Sequence, residues 1–285
     1  CGFCGLCYAE FASLVPVAGS AYTYSYATLG EIVAWIIGWD LILEYAVGNI
    51  AVAISWAAYF RQLLLGFGIE FPAFLATDYR STLLAAKAAA EGGVAGLSPE
   101  QAVAWQAHLH HPELFGVPVV FNLLAALITG VITVLLVRGV KESARVNDVI
   151  VVLKVATLVF FVAVGAFYVK PANWHPFFPG GFAGVWTGAS LIFFAYIGFD
   201  AISTAAEECK DPARDMPRGI LGSLLVCTVL YVAAALVLSG IIPYHKLAGV
   251  ADPLAAALAY VRQDWAAGIL AAGAVFSMTA VLLVF

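Results

Sequence analysis

Six long apolar runs, at residues 32–60, 117–137, 149–169, 182–206, 219–242 and 265–285, dominate this chain. Crossing the hydrocarbon core of a bilayer takes roughly 20 mostly apolar residues as a helix. Each run meets that length, and residues 1–9 read as the tail of a seventh span. A transmembrane barrel would instead show segments of about 10 residues with alternating polarity. The remaining residues cannot coat a soluble domain, since 63% of the chain is hydrophobic, 11% is charged and the mean hydropathy is +0.96. Soluble domains run at about 25% charged. The expected fold class is therefore an all-α polytopic membrane protein. A nucleic-acid partner would call for a basic excess, whereas the net charge is -5.

The chain starts at Cys1 and ends at Phe285, each inside an apolar run, and so reads as an internal piece of a longer protein. The first window is long enough to tilt or to project beyond the hydrocarbon. Residues 10–31, with Pro16, Gly19 and several tyrosines, read as a connector at the interface.

Lysine and arginine set the orientation. The short connections 138–148 and 207–218 hold Arg138, Lys141, Arg145, Lys210, Arg214 and Arg218. The connections 61–116, 170–181 and 243–264 hold as many over a much longer stretch. The first pair is therefore expected in the cytoplasm and 61–116 outside, where its polar, Ala-rich stretch predicts short surface helices. Trp35, Trp39, Trp56, Trp174, Trp186 and Trp265 read as an interfacial aromatic belt.

Asp40, Glu44, Lys154 and Asp200 are the ionisable carboxyl and amino groups inside the windows. Each costs at least about 2.5–3.5 kcal/mol at the bilayer centre on insertion scales, so each needs a partner or a wet cavity. Asp40 and Glu44 share a helix face. Lys154 and Asp200 lie at roughly 9 and 10 Å from the cytoplasmic ends of their spans, if helical, and can meet at similar depth. Asp40 suits the interface and Lys154 could snorkel. Glu44 and Asp200 favour an ion or proton role.

Other patterns carry less. Cys1, Cys4 and Cys7 lack the fourth ligand of an iron–sulfur run. His108, His110 and His111 lack a second ligand group for a metal. No phosphate-cradling loop is present, and no metal or cofactor is expected. Gly184 and Gly188 form a G-x3-G pair, which usually marks close helix packing. The segment Phe193-Phe194-Ala195-Tyr196-Ile197-Gly198-Phe199-Asp200 places a glycine and a carboxylate inside one span. Gly198 can permit a helix break, and exposed carbonyls at that depth are tolerated only where they line a cavity. Beyond it, Pro217 suits the first turn of the next helix.

Several blocks, in order, carry a resemblance: 7–31 (CYAEFASLVPVAGSAYTYSYATLGE), 36–48 (IIGWDLILEYAVG), 138–148 (RGVKESARVND) and 193–224 (FFAYIGFDAISTAAEECKDPARDMPRGILGSL). The chain resembles the amino acid–polyamine–cation superfamily of permeases and, within it, the bacterial branch of the cationic amino acid transporter family. The resemblance implies a LeuT-like fold of two inverted five-helix repeats, held here from late in the second helix to the eighth.

It implies a multi-pass protein of the cell membrane that carries cationic or small neutral amino acids, with protons as the coupling ion and no enzymatic activity. Substrate contacts would fall on Phe193, Phe194, Ala195, Tyr196, Ile197 and Gly198. Backbone carbonyls would hold the α-ammonium group, Phe194 would close over the substrate, and Ile197 would line the side-chain pocket. Lys154 would stand where a related carrier binds sodium, and Glu44 and Asp200 would join the coupling network. An exchanger is the nearest alternative. A channel lacks polar residues for a pore, and a membrane enzyme lacks a catalytic set, since the spans contain no histidine.

Overall fold

A computed structural model describes residues 1–138, 144–247, 250 and 252–284. Lys141 and the side chain of Arg145, two of the six cytoplasmic cations expected, lie outside the described residues. The chain is mostly helical and divides into two compact units, one formed by 1–48 with 175–233 and the other by 49–174 with 234–285.

In the first unit, helix α1 (Gly2–Leu14) stops just before Pro16, and α2 (Ser20–Leu29) starts after Gly19. The stretch expected as a connector is thus largely helical: proline ends one helix and glycine, at a φ of 138°, admits the turn into the next. Helix α3 (Glu31–Gly66) follows from Gly30 and runs on from this unit into the other. Helix α8 (Gly181–Phe193) ends well inside its apolar run, and a 3-10 stretch at Ala201–Glu208 leads to α9 (Pro212–Ile241). Pro212 rather than Pro217 opens α9, so Pro217 sits inside the helix, where it has no N–H to donate. The core gathers Ala12, Tyr24, Ala206, Met216, Ile220 and Leu224.

In the second unit, α4 (Tyr79–Gly92) and α5 (Pro99–Leu109) occupy the connection after α3. Asp78 caps α4 by accepting from the Ser81 N–H, and Ser98 with Gln101 forms a capping box on α5. A two-stranded ribbon pairs β1 (Glu113–Leu114) with β2 (Val117–Pro118) around Phe115 and Gly116, both at positive φ. Consequently α6 (Leu123–Val137) starts at Leu123, six residues into its apolar run, with Asn122 as its cap. Helix α7 (Ala144–Ala166), α10 (Pro253–Tyr260) and α11 (Asp264–Val284) complete the unit with the end of α9.

The second core centres on Phe161, Val237, Ile241, Leu258 and Leu270, with Trp56, Leu124 and Ile128 in a separate cluster. Trp56 is buried and donates to Thr279 Oγ1 at 2.9 Å, so it is a packing residue rather than part of an interfacial belt. Close helix approach occurs at Gly165 and Gly273: an added Cβ at Gly165 would meet Val237, and one at Gly273 would lie 2.6 Å from Thr157. Gly184 and Gly188 face open space instead among the described residues.

Among the described residues, five segments are long and apolar enough to cross a membrane: Glu31–Gly66, Val149–Ala166, Gly181–Glu207, Pro212–Ile241 and Asp264–Val284. Their outward faces are apolar, as at Val152, Trp186, Leu191 and Val229. Water would penalise such surfaces; lipid tails solvate them.

Candidate functional site

The site builds from the interrupted span of the first unit. The α-helix ends at Phe193, Phe194–Tyr196 form one 3-10 turn, and Ile197 is extended at φ -53° and ψ 134°. Gly198 then takes a φ of 108°, a region L side chains rarely adopt. The backbone therefore loses its helical ladder for several residues. Ile197 N–H donates to the Phe194 carbonyl at 3.3 Å and Phe199 N–H to the Tyr196 carbonyl at 3.4 Å. Helix α9 braces the break: the Tyr231 hydroxyl donates to the Ala195 carbonyl at 3.0 Å, and the Tyr196 hydroxyl to Thr228 Oγ1 at 3.0 Å. Among the described residues, nothing donates to the Ile197 and Gly198 carbonyls. Phe193, Phe194 and Ala195 are exposed, and Tyr196, Ile197 and Gly198 are half-buried.

Asp200, two residues beyond the glycine, is buried at 5% exposure. Its Oδ2 accepts from the Tyr45 hydroxyl of α3 at 2.6 Å and from Ser20 Oγ of α2 at 3.3 Å, and its Oδ1 from the Gly198 N–H at 3.2 Å. A buried carboxylate in hydrocarbon survives only with such donors. Ser20 holds a φ of 52°, a left-handed conformation outside glycine's usual reserve, while making this bond. The Asp200 carbonyl accepts from Ser203 N–H and from Ser203 Oγ, which starts the following 3-10 stretch. Glu207 then accepts from the Ala18 N–H at 3.2 Å, a second tie to the start of α2.

The expected site residues distribute as follows. Phe193 to Gly198 lie on the break, with Asp200 directly after it. Glu44 is half-buried on α3, next to Tyr45, and is within electrostatic range of Asp200. Asp40 is exposed. Lys154 belongs to the second unit, where it lines a cavity of about 100 Å³ with Leu153, Gly273, Phe276 and Ser277. A larger cavity, about 290 Å³, also lies in the second unit, around Arg61. Tyr45, Ser20 and Tyr231 are site neighbours that sequence reasoning passed over. Their hydroxyls are ordinary in sequence, and only folding aims them at Asp200 and Ala195.

All residues from 1 to 285 match the amino acid permease family. The chain belongs to that family. The chain is 48% identical over its whole length to the branched-chain amino acid permease BcaP of Bacillus subtilis (strain 168), covering 54% of that protein. It is 47% identical over 99% of its length to the methylthioribose transporter of the same organism, again covering 54%. It is 38% identical over its whole length to the chloroplastic cationic amino acid transporter 9 of Arabidopsis thaliana, covering 45%. The permease chain thus spans about half the length of the curated relatives it matches. Its relatives are transporters, which accords with the apolar helices of a membrane protein.

Proposed function

We propose that the full-length permease is a secondary carrier of the cell membrane that moves neutral amino acids by proton symport through alternating access. One observation carries this reading. An apolar span is interrupted at Ile197–Gly198, where two carbonyls have no donor among the described residues, next to a buried carboxylate that accepts three hydrogen bonds. Unwound backbone at membrane depth suits a binding site, because carbonyl dipoles there can accept from a substrate ammonium group. The LeuT-like fold of two inverted repeats supplies the frame in this reading. Segment 61–116 lies outside, and the connection between α8 and α9 faces the cytoplasm.

The Ile197 and Gly198 carbonyls are the natural acceptors for the α-ammonium group, since those of Phe194, Ala195 and Tyr196 already have donors. Phe194 covers the substrate and Ile197 meets its side chain. Asp200 and Glu44 in the first unit, and Lys154 in the second, are the residues that take part in proton coupling in this reading. Proton binding there couples to transport only if it favours one access state over the other.

A neutral side chain is preferred over a cationic one for two reasons. Asp200 already accepts from three donors, which leaves it poorly placed to serve a guanidinium or ammonium head. The two bacterial relatives at 47–48% identity are named for a branched-chain amino acid and for methylthioribose, whereas the plant cationic transporters stand at 34–38%. An aliphatic or thioether group is common to the bacterial pair's ligands.

The test is competition in proteoliposomes of the full-length protein. Labelled leucine uptake should be displaced by unlabelled isoleucine, valine and methionine, and unaffected by arginine or lysine at equal concentration. Displacement by arginine with no effect of valine would assign the cationic class instead. Uptake dependent on internal amino acid, with no response to a proton gradient, would favour an exchanger.

A further inference from the structure

The second unit contains a cavity of about 290 Å³ that the transport pathway just described does not use. It opens beside the end of α3 and is walled by α4, α5 and the start of α6. Typical small-molecule sites run roughly 300–1,000 Å³, so this one suits a ligand the size of a single amino acid. Its wall is divided by chemistry. Ile54, Leu84 and Leu124 supply apolar surface, Arg61 supplies a guanidinium, and Glu100 supplies a carboxylate.

Arg61 is half-buried, and among the described residues the ion pairs are Lys87–Glu91 and Arg214–Asp211, so no carboxylate lies within 4.0 Å of Arg61. Three polar side chains around it, those of Asp78, Gln101 and Asn122, are committed elsewhere. Asp78 Oδ1 accepts from the Ser81 N–H at 3.0 Å and its Oδ2 from the Ser81 hydroxyl. Gln101 Oε1 accepts from the Ser98 N–H at 2.9 Å, and Asn122 Oδ1 from the Ala125 N–H at 3.0 Å. Asp252 and Glu100 lie within electrostatic range of Arg61 without pairing with it. Burial pushes the Asp252 carboxyl up, against the pull of Arg61, which weakens it as a counter-charge. A guanidinium partly withdrawn from water, with its donors unspent, is a receptor for a carboxylate in bidentate geometry.

We propose that this cavity is a second binding site for a neutral amino acid, in which Arg61 holds the carboxylate, Glu100 the ammonium group, and Ile54, Leu84 and Leu124 an aliphatic side chain. The proposal rests on the carrier reading for the identity of its ligand and on the outward placement of segment 61–116. The cavity would then hold substrate at the external face.

The experiment counts tritiated leucine bound at saturation to purified full-length protein in lipid nanodiscs. Wild type should bind two molecules per protein, and Arg61→Gln should bind one. Leu84→Trp, which crowds the cavity from α4 and leaves Arg61 in place, should also bind one. The remaining single site shows that each variant is folded. One molecule in wild type, unchanged in both variants, overturns the second site and leaves the carrier reading standing. Two molecules in Leu84→Trp, with loss only in Arg61→Gln, also overturns it, because the loss then follows the arginine's structural role. No leucine bound by wild type overturns both readings.

Discussion

The Tyr45 hydroxyl reaches the Asp200 carboxylate at 2.6 Å across 155 positions of sequence. That bond ties α3 to the segment just past the helix break, and Ser20 adds α2 to the same oxygen. A hydrogen bond to a charged group is worth about 1.5–3 kcal/mol. Tyr45→Phe keeps the ring and deletes the hydroxyl that donates this bond. It should lower the unfolding free energy by about 1.5–3 kcal/mol, read as a lower thermal midpoint in detergent, and should reduce uptake. A midpoint within error of wild type would show that the bond contributes little in the assembled protein.

Gly198 is the residue at the break whose φ of 108° a side chain would oppose. Gly198→Ala should cost about 1–3 kcal/mol of backbone strain and abolish leucine uptake at normal expression. Gly188→Ala is the matched control, because its added methyl meets open space on a helix, where alanine is the better helix former. Equal uptake by the two variants would contradict the special status of the break.

Close approach of α7 and α11 at Gly273 makes a separate prediction. A Cβ there would sit 2.6 Å from the Thr157 side chain, so Gly273→Val should overpack the contact by about 1–3 kcal/mol. Thr157→Ala in the same protein should restore part of the lost thermal stability. Failure of the double variant to recover would place the damage elsewhere.

Asp78 gives a pH dependence outside the spans. Burial raises its carboxyl, but the Ser81 hydroxyl and amide, with neighbouring backbone donors, outweigh that and hold it below its ordinary value of 3.8. A depressed carboxyl stabilises fully above its unfolded value and loses that contribution as pH falls through its folded value. Asp78→Asn should therefore lower stability at neutral pH and narrow toward wild type below about pH 4. Parallel stability curves down to acid would show that the cap contributes nothing through its charge.

Much of this architecture was legible in the sequence, for physical reasons. Apolar runs of bilayer length leave few alternatives to helices, and a lone carboxylate such as Asp200 in one of them must find donors. Gly198 marked where backbone could leave the helix. The donors themselves were not legible, because Tyr45, Ser20 and Tyr231 reach the site only through tertiary packing. Spacing also misled where it was necessary without being sufficient. Gly184 and Gly188 have the interval of a packing seam and face open space among the described residues, while Gly165 and Gly273, neither part of a G-x3-G pair, make the close contacts. Trp56 reads as a belt residue until its N–H is found on Thr279. Local breakers set the other differences: the ribbon at Phe115–Gly116 delays α6, and Pro16 with Gly19 folds a presumed connector into two helix ends.

The most direct measurement is leucine accumulation driven by an imposed pH gradient, inside acid, in proteoliposomes and its reverse, for full-length wild type, Asp200→Asn and Lys154→Ala. Wild type should concentrate leucine only when the outside is the acid side, and both variants should lose concentrative uptake while still binding leucine. Undiminished gradient-driven accumulation in both variants would contradict the coupling role of Asp200 and Lys154.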